Sequence, residues 1–482
     1  MKRFLYKLIK KTSNASEPVI ASFWFTMCSV INKCIQLITV PLFTRLLSTT
    51  EYGDYSIFIS WQSIIIIFAT LYLFSNVFNN GMLKYRDDRD GFLSSLQGLT
   101  TTISLFIIGL FLFLNNNIVD WIGLPLYILI IMMIEILLMP GFEFWASNER
   151  FDYKYKKIIT VTLLIAILNP VIGFIFIYYS DEKGYARILS VLVVQIVIYG
   201  ILYIRNFIKG RVFFRLEYWK YALILAVPLV PHYLSQILLN HMDRIMISSI
   251  VGTDKAGIYS VAYSAAMVLQ IVGKAIQNSF TPWIYKKMDS KATQKIKPTV
   301  NALIIVVAAL NFILICLAPE VIMLLGGEKY MEAIYVIPPI VCSCYLIFVY
   351  SMFCTIEFYF EKTNAMTVVS VIGALINYIA NYIFIRRFGY YAAGYTTLFS
   401  YICFVIAHYF VMKKALTENG YRKNIFDMKF IAPFTVVFTI ISIAPAFVYD
   451  IVIIRYLILA FIATLCFFKR KNIYSMLKNT KN

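Results

Sequence analysis

Two apolar runs, residues 232–250 and 257–283, carry polar side chains at helical spacing. In the first, His232, Gln236, Asn240 and Asp243 recur at i, i+4, i+8 and i+11, one helix face with Arg244 beside it. In the second, Gln270, Lys274, Gln277 and Asn278 fall at i, i+4, i+7 and i+8 and make another stripe. The first apolar run of the chain adds Ser29, Asn32, Lys33 and Gln36 before Pro41. Cations can hold phosphate, and amides and hydroxyls can hold sugars. Neither is possible while the groups face hydrocarbon, where one charge at bilayer centre costs about 2.5–3.5 kcal/mol. The stripes are therefore expected to face other helices or a water-filled transport path.

Carboxylates in the same runs suggest gating or coupling. Asp243 adjoins Arg244, Glu135 sits in the middle of the fourth run, and Glu143 and Glu357 each precede a basic segment. Glu135 is also a counter-charge for Lys33 or Lys274, in which case those lysines serve structure alone. His232, His241 and His408 could titrate in a proton-coupled cycle. The eight cysteines fall in or beside apolar runs, and Cys342 and Cys344 point to different sides of a helix. Their spacing implies neutral packing, with no disulfide framework and no metal site.

The elements that must position these residues follow from composition. The chain has 482 residues, 60% hydrophobic and 14% charged, with mean hydropathy +0.75, against about 25% charged in soluble domains. It reads as an all-α integral membrane protein. Fourteen windows of about 20 apolar residues, each enough to cross roughly 30 Å of hydrocarbon, can be placed. They include 55–77, 219–250 and a last one at 451–468. Of 44 Lys and Arg, 33 fall in segments on one side and eight on the other, with Lys33, Arg244 and Lys274 inside spans. That asymmetry places both termini in the cytoplasm. The net charge of +19 then reflects topology and anionic inner-leaflet lipid, and it requires no nucleic-acid partner. Residues 1–18, basic and amphipathic, are expected to lie on the inner surface.

Internal repetition organises the spans. EYGDYS at 51–56 returns as KAGIYS at 255–260, Glu143-Phe144-Trp145 as Glu357-Phe358-Tyr359, and GYARILS from Gly184 as GYTTLFS from Gly394. The offsets are 204, 214 and 210 residues. Six repeated spans enter the membrane in the same direction, so the expected organisation is a parallel repeat. Its parts are an N-lobe over 19–215, a C-lobe over 216–415, and two further spans with a basic tail over 416–482.

On TRLLSTTEYGDYS, HMDRIMISSIVGTDKAGIYSVAYS, LLGGEKYMEA from Leu324 and FGYYAAGYTTLFSY from Phe388, the chain resembles the polysaccharide-exporting branch of the multidrug/oligosaccharidyl-lipid/polysaccharide (MOP) flippase superfamily. Within it the likeness is to Wzx-type O-antigen and capsule repeat-unit flippases. The resemblance implies two six-helix lobes in a V shape around a central cavity. It implies alternating access and export of an undecaprenyl-diphosphate-linked oligosaccharide across a bacterial cytoplasmic membrane. It also implies a polysaccharide polymerase and other assembly proteins as partners. Multidrug export and lipid II flipping are rival readings on the same fold, although cationic drugs call for intramembrane carboxylates whereas cations dominate these stripes. Enzyme readings lack a phosphate-binding glycine loop, a His-Glu-x-x-His motif and a long outward catalytic loop. No cofactor is expected.

Overall fold

The computed structural model describes residues 17–114, 121–290, 296–421 and 425–461, with positions 119, 294 and 464. The amphipathic N-terminus expected over 1–18 falls almost wholly outside the described residues, as do most of the basic C-terminal tail and the end of the span expected at 451–468. Every long element is a helix. The reason is solvation, because hydrocarbon offers no partner to a backbone N–H or C=O and a helix satisfies both internally.

Thirteen helical segments among the described residues are long and apolar enough to cross a membrane. In chain order the helices of the first half are α1 (Glu17–Leu46), α2 (Thr49–Thr70), α3 (Asn76–Lys84), α4 (Arg89–Phe113), α5 (Leu126–Phe151), α6 (Tyr155–Tyr178) and α7 (Lys183–Gly210). Next come α8 (Leu216–Ala226), α9 (Val230–Ile250), α10 (Thr253–Asp289), α11 (Ile296–Cys316) and α12 (Ala318–Leu325). The last are α13 (Ile337–Tyr359), α14 (Thr363–Phe388), α15 (Tyr391–Glu418) and α16 (Met428–Ile441). A shorter apolar helix, Val452–Phe461, stands where the fourteenth span is expected.

Two expected spans are interrupted. The span at 55–77 breaks after α2, where Leu71 and Tyr72 take left-handed φ values of 47° and 54°. A non-glycine residue there costs of order 1 kcal/mol or more. The break is held by Thr70 Oγ1, which accepts the Tyr72 N–H, and by the Phe78 N–H donating to the Leu73 carbonyl. The span at 219–250 divides into α8 and α9 through a 3-10 turn at Val227–Leu229. Pro228 lies within that turn and Pro231 just after it, and each removes a helical donor.

By packing, the described chain forms two compact units, residues 1–237 and 238–482, with the division inside α9. In the first, α7 packs on α5, α6, α4 and α2, and α4 packs on α5. In the second, α15 packs on α13 and α14, while α10 and α11 pack on α13. In each unit the fourth and sixth spans make the most extensive helix pair.

The repeated motifs have local causes. Ser48 and Glu51 form a reciprocal capping box at the start of α2. Gly184, in the first turn of α7, sits so close to that start that an added Cβ would lie 3.1 Å from Glu51 Cα. Helix ends also correct one sequence match. After α5, Tyr153 is left-handed and the Lys154 N–H bonds the Glu149 carbonyl at 2.8 Å; after α13, Glu361 is left-handed and the Lys362 N–H bonds the Glu357 carbonyl at 2.9 Å. The helix ends align Glu149, not Glu143, with Glu357. Their offset of 208 residues lies between the 204 and 210 of the other two matches.

Candidate transport site

In the second unit, donors from three other helices gather around one carboxylate of α9. Asp243 is 2% exposed. Its Oδ2 accepts from Tyr259 Oη at 2.6 Å and Thr397 Oγ1 at 2.8 Å, and its Oδ1 accepts from Asn381 Nδ2 at 2.7 Å. Asn381 Nδ2 also reaches Asn377 Oδ1, Asn377 Nδ2 donates to Thr397 Oγ1 at 3.2 Å, and Thr396 Oγ1 donates to Asn381 Oδ1. Four helices, α9, α10, α14 and α15, thus converge on one buried anion. Stranding such a charge costs several kcal/mol, which is why three donors surround it.

Arg244, next in sequence, turns away. It is 8% exposed; its Nη1 donates to the Asn240 carbonyl at 2.8 Å and its guanidinium lies 4.4 Å from the Tyr263 ring centroid. Tyr263 Oη donates in turn to Asn240 Oδ1 at 2.8 Å. Among the described residues no carboxylate pairs with Arg244. Gln236 and His232, one and two turns earlier, are half-buried.

The second stripe divides. Gln270 and Gln277 are half-buried against α13, where Gln270 Nε2 lies 3.6 Å from Cys344 Sγ and Gln277 Nε2 3.5 Å from the Ser351 carbonyl. Lys274 and Asn278 are exposed, and Lys274 has no ion-pair partner among the described residues. In the first unit, Lys33 Nζ donates to Gln36 Oε1 at 3.0 Å, with Lys33 and Asn32 half-buried and Gln36 exposed.

The carboxylates expected to gate or couple have distinct settings. Glu135 is buried and accepts from Gln62 Nε2 at 2.8 Å, so its observed partner is an amide and neither lysine. Glu143 is half-buried, with no hydrogen-bond partner among the described residues. Glu357, fully buried, faces His408 Nδ1 at 3.0 Å, and Cys354 Sγ lies 3.4 Å from the same nitrogen. Another buried cation lies in the first unit, where Arg187 rests 3.9 Å from the Phe43 ring and donates to the Asn169 carbonyl.

Sequence reasoning missed the ring around Asp243. Its legible signal was Asn377 and Asn381, two amides at i and i+4 inside an apolar run, which seldom face lipid. It also missed Gln62 and the burial of Arg187, which counted only as an outside-loop charge.

The polysaccharide biosynthesis protein family matches residues 21–288, more than half of the chain. An uncharacterized membrane protein of Methanocaldococcus jannaschii is 24% identical over 358 residues, 69% of this chain and 70% of that one. Among solved structures, the lipid II flippase MurJ in an inward closed conformation is similar at TM-score 0.64 and 14% identity, over 91% of this chain and 100% of that one. An inward-facing multidrug-resistance MATE transporter of the MOP superfamily is similar at TM-score 0.63 and 11% identity, over 83% and 96%. The chain belongs to the polysaccharide biosynthesis protein family, and it is a multi-pass membrane protein whose fold is similar to those of MurJ and the MATE transporter.

Proposed function

We propose that the protein flips an undecaprenyl-diphosphate-linked oligosaccharide from the inner to the outer leaflet of a bacterial cytoplasmic membrane, with both termini in the cytoplasm, for O-antigen or capsule assembly. The observation that carries this reading is the asymmetry of the intramembrane charges. Asp243, Glu135 and Glu357 each have close partners within their own unit, whereas Arg244 and Lys274 form no close ion pair with a carboxylate among the described residues. An exposed lysine in mid-span is tolerable where water or an anion meets it. A sugar diphosphate supplies that anion, and the flanking amides Asn240, Gln270, Gln277 and Asn278 suit its hydroxyls. A cationic drug would meet these positive charges unfavourably.

Lys33, Arg244 and Lys274 are assigned to the headgroup in this proposal, and Asn32, Gln36 and Gln236 to the sugars. Asp243, Glu135, Glu143 and Glu357 serve gating or coupling. Reconstituted flipping of a lipid diphosphate oligosaccharide tests it. Lys274→Gln should slow flipping at least about tenfold, because a charge-assisted bond contributes about 1.5–3 kcal/mol; Lys274→Arg should retain most of the rate, since phosphate recognition needs a positive donor. Unchanged flipping in the Lys33→Gln, Lys274→Gln double variant would refute the headgroup assignment.

A further inference from the structure

The Cys354, Glu357 and His408 cluster is not explained by transport of a sugar diphosphate. All three side chains are buried, and one ligand atom from each lies within 4.8 Å of the others. Cys354 and Glu357 are three apart on α13 and so share a face, while His408 reaches them from α15. The imidazole packs against two rings, Tyr350 with centroids 5.3 Å away and Phe404 at 5.7 Å. Its Nδ1 is turned toward Cys354 and Glu357.

One ring nitrogen therefore faces three heteroatoms, the two Glu357 oxygens at 3.1 and 3.0 Å and Cys354 Sγ at 3.4 Å. A single N–H cannot serve all three. Zinc bonds of about 2.0–2.1 Å to nitrogen and oxygen and 2.3 Å to sulfur set tetrahedral edges of roughly 3.3 Å for N···O and 3.6 Å for N···S. The observed separations are within about 0.3 Å of those edges. Charge fits as well, since one divalent ion with one thiolate, one carboxylate and a neutral imidazole sums to zero, the cheapest sum inside a membrane.

We propose that Cys354, Glu357 and His408 bind one zinc-like divalent metal ion that ties α13 to α15, the most extensively packed helix pair of the second unit. The metal joins Sγ, Nδ1 and the carboxylate. The thiol proton leaves, together with the imidazolium proton where His408 carries one, so uptake releases protons. A water or the second Glu357 oxygen completes the four positions. No electron moves. The assignment is independent of which substrate the transporter carries.

The test uses the full chain purified without a histidine tag from zinc-replete cells. Elemental analysis should find about one zinc per chain, and cobalt exchanged for it should give intense visible bands of tetrahedral geometry with a thiolate charge-transfer band in the near ultraviolet. Cys354→Ser should abolish the charge-transfer band. It should weaken metal affinity by more than about 100-fold, beyond the loss that residues merely orienting a ligand produce. If His408→Gln misfolds, the wild-type cobalt spectrum still decides. A metal-free wild type whose cobalt spectrum is only weak and octahedral would overturn the site, and so would full metal retention in Cys354→Ser.

Discussion

Replacing Asp243 separates a folding role from a coupling role. In Asp243→Ala, Asn381 keeps Asn377 Oδ1 as an acceptor at 3.2 Å, but the hydroxyls of Tyr259 and Thr397 lose theirs. Two stranded buried donors at about 1–3 kcal/mol each put the loss near 2–6 kcal/mol, a large part of a typical stability. Asp243→Asn is milder. Its oxygen can still take both hydroxyls, and the one clash sets its amide against Asn381 Nδ2, which lies 2.7 Å from Asp243 Oδ1. That should cost about 1–3 kcal/mol.

Thermal unfolding in detergent, read by size-exclusion fluorescence, should rank wild type above Asp243→Asn and Asp243→Ala last. Flipping in vesicles should be lost in Asp243→Asn even below its melting temperature, because an amide cannot take up or release a coupling ion as a carboxylate does. An Asp243→Ala chain as stable as wild type would refute the energetic reasoning. Asp243→Asn vesicles with wild-type flux and wild-type dependence on proton and sodium gradients would reduce the residue to a structural role.

Reporter fusions should place residues 117 and 327 outside and residues 87, 152, 290 and 420 inside; an outside signal at 290 would sink the span order. Cysteines introduced at Gln36 and Gln236 should both react with a water-soluble thiol reagent in at least one transport state, and protection of both throughout would mean that these stripes are only packed. Arg455 Nη1 bonds both Glu320 oxygens, at 2.9 and 2.8 Å. Burial pushes the Glu320 carboxyl up, but the Arg455 hydrogen bonds and charge, a backbone hydrogen bond and the Tyr456 hydroxyl together outweigh it and hold the group below its usual 4.5. Its folded-state value is thus depressed, so the clamp is complete above about pH 4.5 and is lost as pH falls through the lower value. Glu320→Gln should melt earlier than wild type at neutral pH and match it in strong acid, as melting curves across that range will show.

Periodicity sufficed for the helices because hydrocarbon leaves a spanning chain few alternatives, and apolar length alone located the spans. It failed at the breaks for a definable reason. Leu71 and Tyr72 have no sequence signature of a left-handed turn, whereas Pro228 and Pro231 could have been read as a helix break. Pairing was less legible still. Helical spacing grouped Asp243 with Asn240 and Gln236, but the ring that holds Asp243 comes from Tyr259, Asn381 and Thr397, the last two more than a hundred residues away. The match of Glu143 with Glu357 failed because Glu-Phe-aromatic recurs by composition, and the helix-end turns, which fix backbone geometry, select Glu149.

The division of labour within the intramembrane charges follows from solvation. A carboxylate that closes its hydrogen bonds inside one helical unit is a stable part of that unit, and it can answer an ion without meeting the cargo. A cation left with a carbonyl, a tyrosine face or solvent, as Arg244 and Lys274 are, keeps donors for an anionic ligand. Moving a diphosphate outward then carries about two negative charges across an inside-negative potential, favourable by about 2.3 kcal/mol per charge per 100 mV. The carrier itself has no need to be strongly driven if those charges travel uncompensated. If Asp243 moves a cation with each cycle, the potential acts on the difference. In the proposed cycle the energetic role of Asp243 is then to set direction, and the role of Arg244 and Lys274 is to choose the cargo.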